Sequence, residues 1–266
     1  MLNQAQRNAA YDNNAAVGNS AALIQERNAA SAAFRAAHPA RLDLAYGPRE
    51  RNSWDLFPAE NPDAPCLVFI HGGYWQRNSR EDFSMMAEGV TAHGWSAALP
   101  GYSLAPQVTL KDIVAEIHAA LDWLQRDGRK HGIAGPVLLA GWSAGAQLAA
   151  LALSHPLVVA GFGLSGVYEL GPIRDTGLND ALRLTDEEVE TLSPLRLTPV
   201  MKVFHIAYGT EELPALVNDA RALHAYRAAA HAPGYLIPVC HKNHFSILQE
   251  LRNAGGELTR AAVNFI

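Results

Sequence analysis

The run PVLLAGWSAGAQLAALAL, from Pro136 to Leu153, constrains this chain more than any other stretch. An apolar segment enters Gly141-Trp142-Ser143-Ala144-Gly145, and an Ala- and Leu-rich segment leaves it. The pattern is that of a strand covered on both faces which turns sharply into a helix. G-x-S-x-G at such a junction lifts a serine Oγ above the sheet, beside a helix N-terminus that favours developing negative charge. An inert serine in a tight turn would give the same five letters, so the rest of the chain has to decide.

Its rhythm supports the strand–helix reading. RLDLAYG and NSWDLFP alternate apolar and polar residues and read as two antiparallel strands. PCLVFI, SAALP, PVLLAG, LVVAGFGLSG, MKVFHIAYG and GYLIPVC then follow as strands, with helical stretches over Arg80–His93, Thr109–Asp127 and Pro214–Ala230, and a last helix from near Phe245. This order predicts an α/β fold, a mostly parallel sheet of about eight strands with helices on both faces. Residues 3–38 read as one or two helices broken at Gly18, an arm or partial lid. Residues 171–197 carry no strand pattern and read as a small helical cap above the sheet's carboxyl edge. The expectation is one domain over 1–266, with 1–38 as the arm and 171–197 as the cap.

The 266 residues are 49% hydrophobic and 18% charged, enough for a sizeable core, and the net charge of −5 argues against nucleic-acid binding. No apolar run reaches the roughly 20 residues that cross a bilayer, and the N-terminus lacks a signal-peptide pattern, so a cytoplasmic protein is expected. Cys66 and Cys240 lie in strand-like runs and are expected to be two reduced, buried thiols.

A serine nucleophile needs an oxyanion site, a base and an orienting acid. His71-Gly72-Gly73-Tyr74-Trp75 directly follows a strand, and backbone N–H groups of Gly72 or Gly73, with that of Ala144, would hold an oxyanion there. His241 and His244 lie in the loop after the last strand, where the base belongs; His244, opening the final helix, is preferred and His241 held in reserve. After MKVFHIAYG, where the acid belongs, the chain offers Glu211 and Glu212, and Glu212 is preferred. Cys240, His241 and His244 do not complete a metal-ligand set, and neither a dinucleotide fingerprint nor a phosphate loop is present, so no metal or cofactor is expected.

Taken together, these residues resemble the kynurenine formamidase (arylformamidase) branch of the α/β-hydrolase fold. HGGYW is similar to the HGGxW signature of that branch, and YDNNAAV, PGYSLAP, LSGVYEL and LSPLRL recur in its order. The resemblance runs from Tyr11 to about Leu251, and implies Ser143 as nucleophile and His244, in NHF, as base. The branch carries its acid in a G-x-x-D-S-P-x-F stretch; here that stretch reads GTEELPAL, which puts Glu212 at the aspartate. Trp142 stands where the branch often has His. What is implied is a serine hydrolase cleaving a carboxylic ester or an N-formyl or N-acyl arylamide, or else a general small-acyl carboxylesterase. A ligand-binding protein on a hydrolase fold is the reading of another class. Tyr74, Trp75, Trp142, Tyr102 and Phe245 cluster about the loops and are expected to line an aromatic pocket for a small-molecule substrate; the chain is also compatible with a homodimer.

Overall fold

The computed structural model describes residues 2–38 and 41–264. Eight strands form one sheet: β1 (Leu44–Ala45), β2 (Ser53–Phe57), β3 (Cys66–Ile70), β4 (Ser96–Pro100), β5 (Val137–Trp142), β6 (Val158–Leu164), β7 (Val203–Gly209) and β8 (Leu236–Val239). Their spatial order is β1-β2-β4-β3-β5-β6-β7-β8. β2 runs antiparallel to both β1 and β4, and all later pairings are parallel. The order turns around at β3, so that β5 and β6 lie centrally with their carboxyl ends at one edge. This is the α/β-hydrolase fold expected of the sequence.

Alternate residues along the central strands feed two cores, as strand geometry requires. Cys66, Val68 and Ile70 pack on one side with Ile113, Ile117 and Leu121 of helix Leu110–Asp127, while Leu67 and Phe69 pack on the other with Phe83, Val90 and Leu251. That continuous burial on both faces is why these strands read as unbroken apolar runs. Helix Leu110–Asp127 starts where the sequence places it, because Thr109 and Asp112 form a capping box. β8 lies at the edge, only partly buried, which accommodates Pro238 within it.

In chain order the α-helices are α1 (Gln4–Ala9), α2 (Asn13–Ala16), α3 (Ser20–Ala37), α4 (Ala87–Thr91), α5 (Leu110–Asp127), α6 (Ala144–Leu151), α7 (Gly171–Arg174), α8 (Asn179–Leu182), α9 (Asp186–Leu192), α10 (Pro214–Ala229), α11 (Gln249–Arg252) and α12 (Glu257–Val263). The segment expected to be an arm of one or two helices holds three, α1 to α3, because the chain also breaks between Ala9 and Asn13. α3 lies along the 3-10 helix Arg80–Met86, where Ser31 Oγ donates to Asp82 O, and Arg35 pairs with the buried Asp55. α7 to α9 fill the segment expected to be a cap, and Gln147 Nε2 donates to Leu192 O beneath it. The arm and the cap meet where Asn8 Oδ1 accepts from Gly177 N and Gln4 Nε2 donates to Asp175 O.

Two further expectations need correction. The C-terminal helix is not continuous: a 3-10 turn, Ser246–Leu248, leads into α11, and α12 begins only after Asn253–Gly256. A side chain at Gly256 would put Cβ 2.2 Å from Glu250 O, so the chain turns tightly there before α12. Cys240 is exposed rather than buried, since it lies one residue beyond the edge strand β8; Cys66, in the central β3, is buried.

Candidate active site

The carboxyl edge of β5 shows why the pentapeptide has its glycines. A Cβ at Gly141 would lie 2.1 Å from Gly145 O, and one at Gly145 would lie 2.1 Å from Ile70 O. Only glycines let the turn fold back on itself and onto β3. Ser143, between them, adopts φ 57° and ψ −121°, a conformation a side chain rarely takes. Its N–H donates to Leu164 O of β6, and α6 starts at the next residue, Ala144. The strained turn therefore sets Ser143 at a helix N-terminus above the sheet.

The loop after β3 comes close to it. A Cβ at Gly72 would meet Trp142 O at 2.5 Å and Ser143 Cβ at 2.8 Å, so Gly72 is pressed against the turn. Beyond it Tyr74, Trp75 and Asn78 all have positive φ, at 50°, 58° and 70°. Such clustering of strain is typical of functional loops held by their surroundings. The surroundings here are Asn78 Nδ2, which donates to Gly72 O, and Asn13 Nδ2, which donates to the Tyr74 hydroxyl. His71 Nδ1 lies 2.9 Å from Gly72 O, and the ring stacks on Tyr102 with centroids 4.2 Å apart. Burial holds the His71 imidazole down to about 3, so it is neutral and able to donate to that carbonyl.

His244, from the loop after β8, presents Nδ1 to Glu212 Oε2 at 3.0 Å, and both side chains are almost wholly buried. Glu212 Oε1 accepts two short hydrogen bonds, each 2.6 Å, from Ser165 Oγ and Gly209 N. Both carboxylate oxygens thus have a donor, which is what a buried carboxylate needs. Trp142 fixes the other end of the histidine: Nε1 donates to His244 O at 2.9 Å, and the rings lie 4.6 Å apart. With Nδ1 committed to Glu212, Nε2 is the nitrogen left for proton exchange.

Ser143 and His244 line one cavity of about 560 Å³, with Gly73, Tyr74, Trp142 and Phe245. The arm closes it from one side with Tyr11, Asn13 and Arg27, and the cap from another with Thr176 and Leu178. Of the residues expected here, Trp75 and Tyr102 do not line it. Both are fully buried: Trp75 Nε1 donates to Gln147 Oε1, and the Tyr102 hydroxyl to His71 O. They support the loop from behind, because the strained backbone after Gly73 turns Trp75 inward. Glu211 and His241 pair with each other in solvent at 3.3 Å, away from the cavity. Ser165 and Asn78 were not foreseen. Ser165 directly follows β6 with φ 52°, and only the β6–β7 pairing brings it to Glu212. Among the described residues no cluster of His, Cys, Asp and Glu could hold a metal ion, and no helix is long and apolar enough to cross a membrane.

A family model described as BD-FAE matches residues 55–155, from β2 through the serine turn and its helix. The kynurenine formamidase of Danio rerio is 27% identical over 242 residues, which covers 85% of this chain and 81% of that protein. Among solved structures, a candidate thioesterase of Silicibacter sp. TM1040 superposes with a TM-score of 0.84 at 27% identity, covering 95% of this chain and 97% of that one. Esterase B of Lactobacillus rhamnosis shares the fold, with a TM-score of 0.71 at 19% identity over 93% and 94% of the two chains. Sheet order, serine turn and these matches define the class: the chain is an α/β-hydrolase-fold member of the esterase/amidase superfamily. Its chemistry is hydrolysis of the esterase/amidase type, on a small-molecule substrate.

Proposed function

We propose that the protein is a serine hydrolase that cleaves a carboxylic ester or an N-formyl or N-acyl arylamide through an acyl-enzyme on Ser143. The observation that carries this reading is the buried His244–Glu212 pair, 3.0 Å apart, facing the cavity that the strained Ser143 also lines. His244 Nε2 takes the hydroxyl proton as Ser143 Oγ bonds to the carbonyl carbon. The C=O electron pair moves onto oxygen, which the N–H groups of Ala144 and of Gly72 or Gly73 receive. Glu212 keeps Nδ1 protonated and stabilises the imidazolium. Collapse of the intermediate expels the leaving oxygen or nitrogen, which takes the proton from His244. Water then repeats the sequence on the acyl-enzyme and frees Ser143. Ser143 Oγ makes no hydrogen bond among the described residues; such contacts tighten when substrate displaces solvent.

The aromatic lining of Tyr74, Trp142 and Phe245 favours an aryl or short-acyl substrate. Similarity to kynurenine formamidase over most of the chain favours the arylamide branch of this reading, and the esterase neighbours the ester branch. The chain is read as one hydrolase domain, its arm and cap together roofing the cavity. Labelling with a fluorophosphonate probe tests the reading: the wild type is expected to react at Ser143, and Ser143→Ala not at all. Turnover of a panel of N-formyl arylamines, N-acylanilides and 4-nitrophenyl esters then separates amide from ester preference. An unlabelled wild type that turns over none of them would leave a ligand-binding role.

A further inference from the structure

The buried arginines differ in what neutralises them. Arg80 pairs with Asp43, Asp55 and Glu81. Arg227 has no carboxylate, but it donates to the backbone carbonyls of Val200, Lys202 and Pro233. Arg27 of α3 is 4% exposed and, among the described residues, bonds to neither. Its Nε and Nη2 donate to the amide oxygen of Asn28, at 3.0 and 2.7 Å, and Nη2 reaches Asn78 Oδ1 at 3.4 Å. Nη1 has no hydrogen-bond partner among the described residues and is not sealed from solvent.

A guanidinium taken out of water without a counter-ion is costly, and proteins rarely leave one so. Burial draws Arg27 down to about 10, which still leaves it a cation at neutral pH. The nearest acid, Asp82, favours the charged guanidinium through space but forms no ion pair with it among the described residues, and its Oδ2 accepts from Ser79 N and Oγ. Arg77, a second guanidinium lining the cavity, makes no ion pair among the described residues. A row of rings joins the Arg27 cation to the site. Its Cζ lies 4.2 Å over the Phe83 ring, Phe83 packs on Trp142 at 5.5 Å, and Trp142 on His244 at 4.6 Å. Asn78, which takes its Nη2 bond, donates in turn to Gly72 O.

The geometry points to Arg27 as an anion subsite: its free Nη1 receives a carboxylate carried by the substrate, so the enzyme selects carboxylate-bearing acyl compounds over neutral ones. This rests on the hydrolase reading of the same cavity for the word substrate, but the anion subsite is measurable without turnover. Calorimetry with phenylacetate and its neutral isostere phenylacetamide reads it directly. The wild type is expected to bind phenylacetate about 10-fold more tightly or better, as a charge-assisted hydrogen bond allows, and Arg27→Met to lose that preference. Arg27→Lys, which keeps the charge and is milder on packing, is expected to keep part of it.

Kinetics then places the carboxylate. 4-Acetoxybenzoate against its methyl ester puts the charge on the leaving group, and mono-4-nitrophenyl succinate against its methyl ester puts it on the acyl group. In one pair the ratio of kcat/KM, acid over ester, is expected to exceed about 10 and to fall toward 1 in Arg27→Met. Equal binding of phenylacetate and phenylacetamide by the wild type would overturn the proposal, as would a preference that survives Arg27→Met. So would an Arg27→Met variant whose losses on acid and ester are equal, since that is a structural role acting through Asn78 and Gly72. Failure of the fluorophosphonate to label Ser143 would sink the hydrolase reading instead, and leave the calorimetric difference to decide the subsite.

Discussion

Ser165 Oγ donates to Glu212 Oε1 at 2.6 Å, and the other oxygen of that carboxylate faces His244 Nδ1 at 3.0 Å. Ser165 follows β6, Glu212 follows β7, and His244 follows β8, so the loops after three neighbouring strands meet on one carboxyl group. A glutamate has one more rotatable bond than an aspartate, and the Ser165 and Gly209 donors fix where that extra length goes. Ser165→Ala is therefore expected to lower kcat about 10-fold with little change in KM, because a hydrogen bond to a charged group contributes about 1.5–3 kcal/mol. Glu212→Gln, which removes the charge that holds Nδ1 protonated, is expected to cost roughly 10³ to 10⁴ in kcat. Steady-state kinetics on one ester checks both, and a wild-type kcat in Ser165→Ala would remove its positioning role.

The strained turn makes a separate prediction at Ser143. A side chain held at positive φ costs about 1–3 kcal/mol, tolerated where function requires it. Ser143→Gly is expected to lose turnover and yet melt roughly 2–4 °C higher, the shift that about 1 kcal/mol gives a chain of this size. Ser143→Ala is expected to lose turnover without that gain, since alanine keeps the strained Cβ. A melting temperature of Ser143→Gly below that of Ser143→Ala would show that the turn carries no such strain.

β3 to β7 were legible because each is a short apolar run bounded by turn residues, the signature that burial on both faces leaves, and β1 and β2 through their alternation of apolar and polar residues. Local pattern marks the serine turn, and chain order narrows its partners to His241 or His244 and Glu211 or Glu212, of which His244 and Glu212 meet in the fold. What was not legible depends on neighbours remote in sequence. Ser165 reaches Glu212 only through the β6–β7 register, 47 residues apart. Trp75 and Tyr102 looked like pocket aromatics because they flank the loops, but the direction of a side chain after a positive-φ turn is not written in residue order. Arg27 sits in a weakly amphipathic helix, where one buried cation leaves no trace in the hydrophobic period.

Trp142 joins the serine turn to the histidine loop by a hydrogen bond and a ring contact, and both can be removed separately. Trp142→Phe keeps an aromatic ring against His244 and loses the bond from Nε1 to His244 O. It is expected to lower kcat several-fold, roughly the effect of one neutral hydrogen bond of about 1 kcal/mol, with the fold intact. Trp142→Ala also empties the space between Phe83, His244 and Phe245, and is expected to cost about 3–5 kcal/mol of stability. Denaturant melts alongside kinetics distinguish the two; an Ala variant as stable as the wild type would show that the ring serves only the substrate.

Asp219 supplies a pH-dependence of stability. Its Oδ2 accepts from the backbone N–H groups of Tyr168 and Glu169, at 2.7 and 3.2 Å, and so holds the chain after β6 against α10. Burial nevertheless pushes the carboxyl up, from 3.8 to about 6, with Glu169 nearby adding to the rise. A raised value means that the folded protein binds a proton, between those two limits, that the unfolded chain has already lost. Stability from this group is thus full below the lower limit and declines as pH rises through the upper one. Asp219→Asn keeps an oxygen acceptor for both amides and removes the charge. At pH 7.5 it is expected to be more stable than the wild type, by about 1–3 kcal/mol for a shift of this size. At pH 4 the gap is expected to close, because the wild-type carboxyl is then protonated in the folded state. Urea midpoints at the two pH values measure it; a gap that stays the same, or an Asn variant less stable at pH 7.5, would mean that the two amides stabilise the buried carboxylate fully.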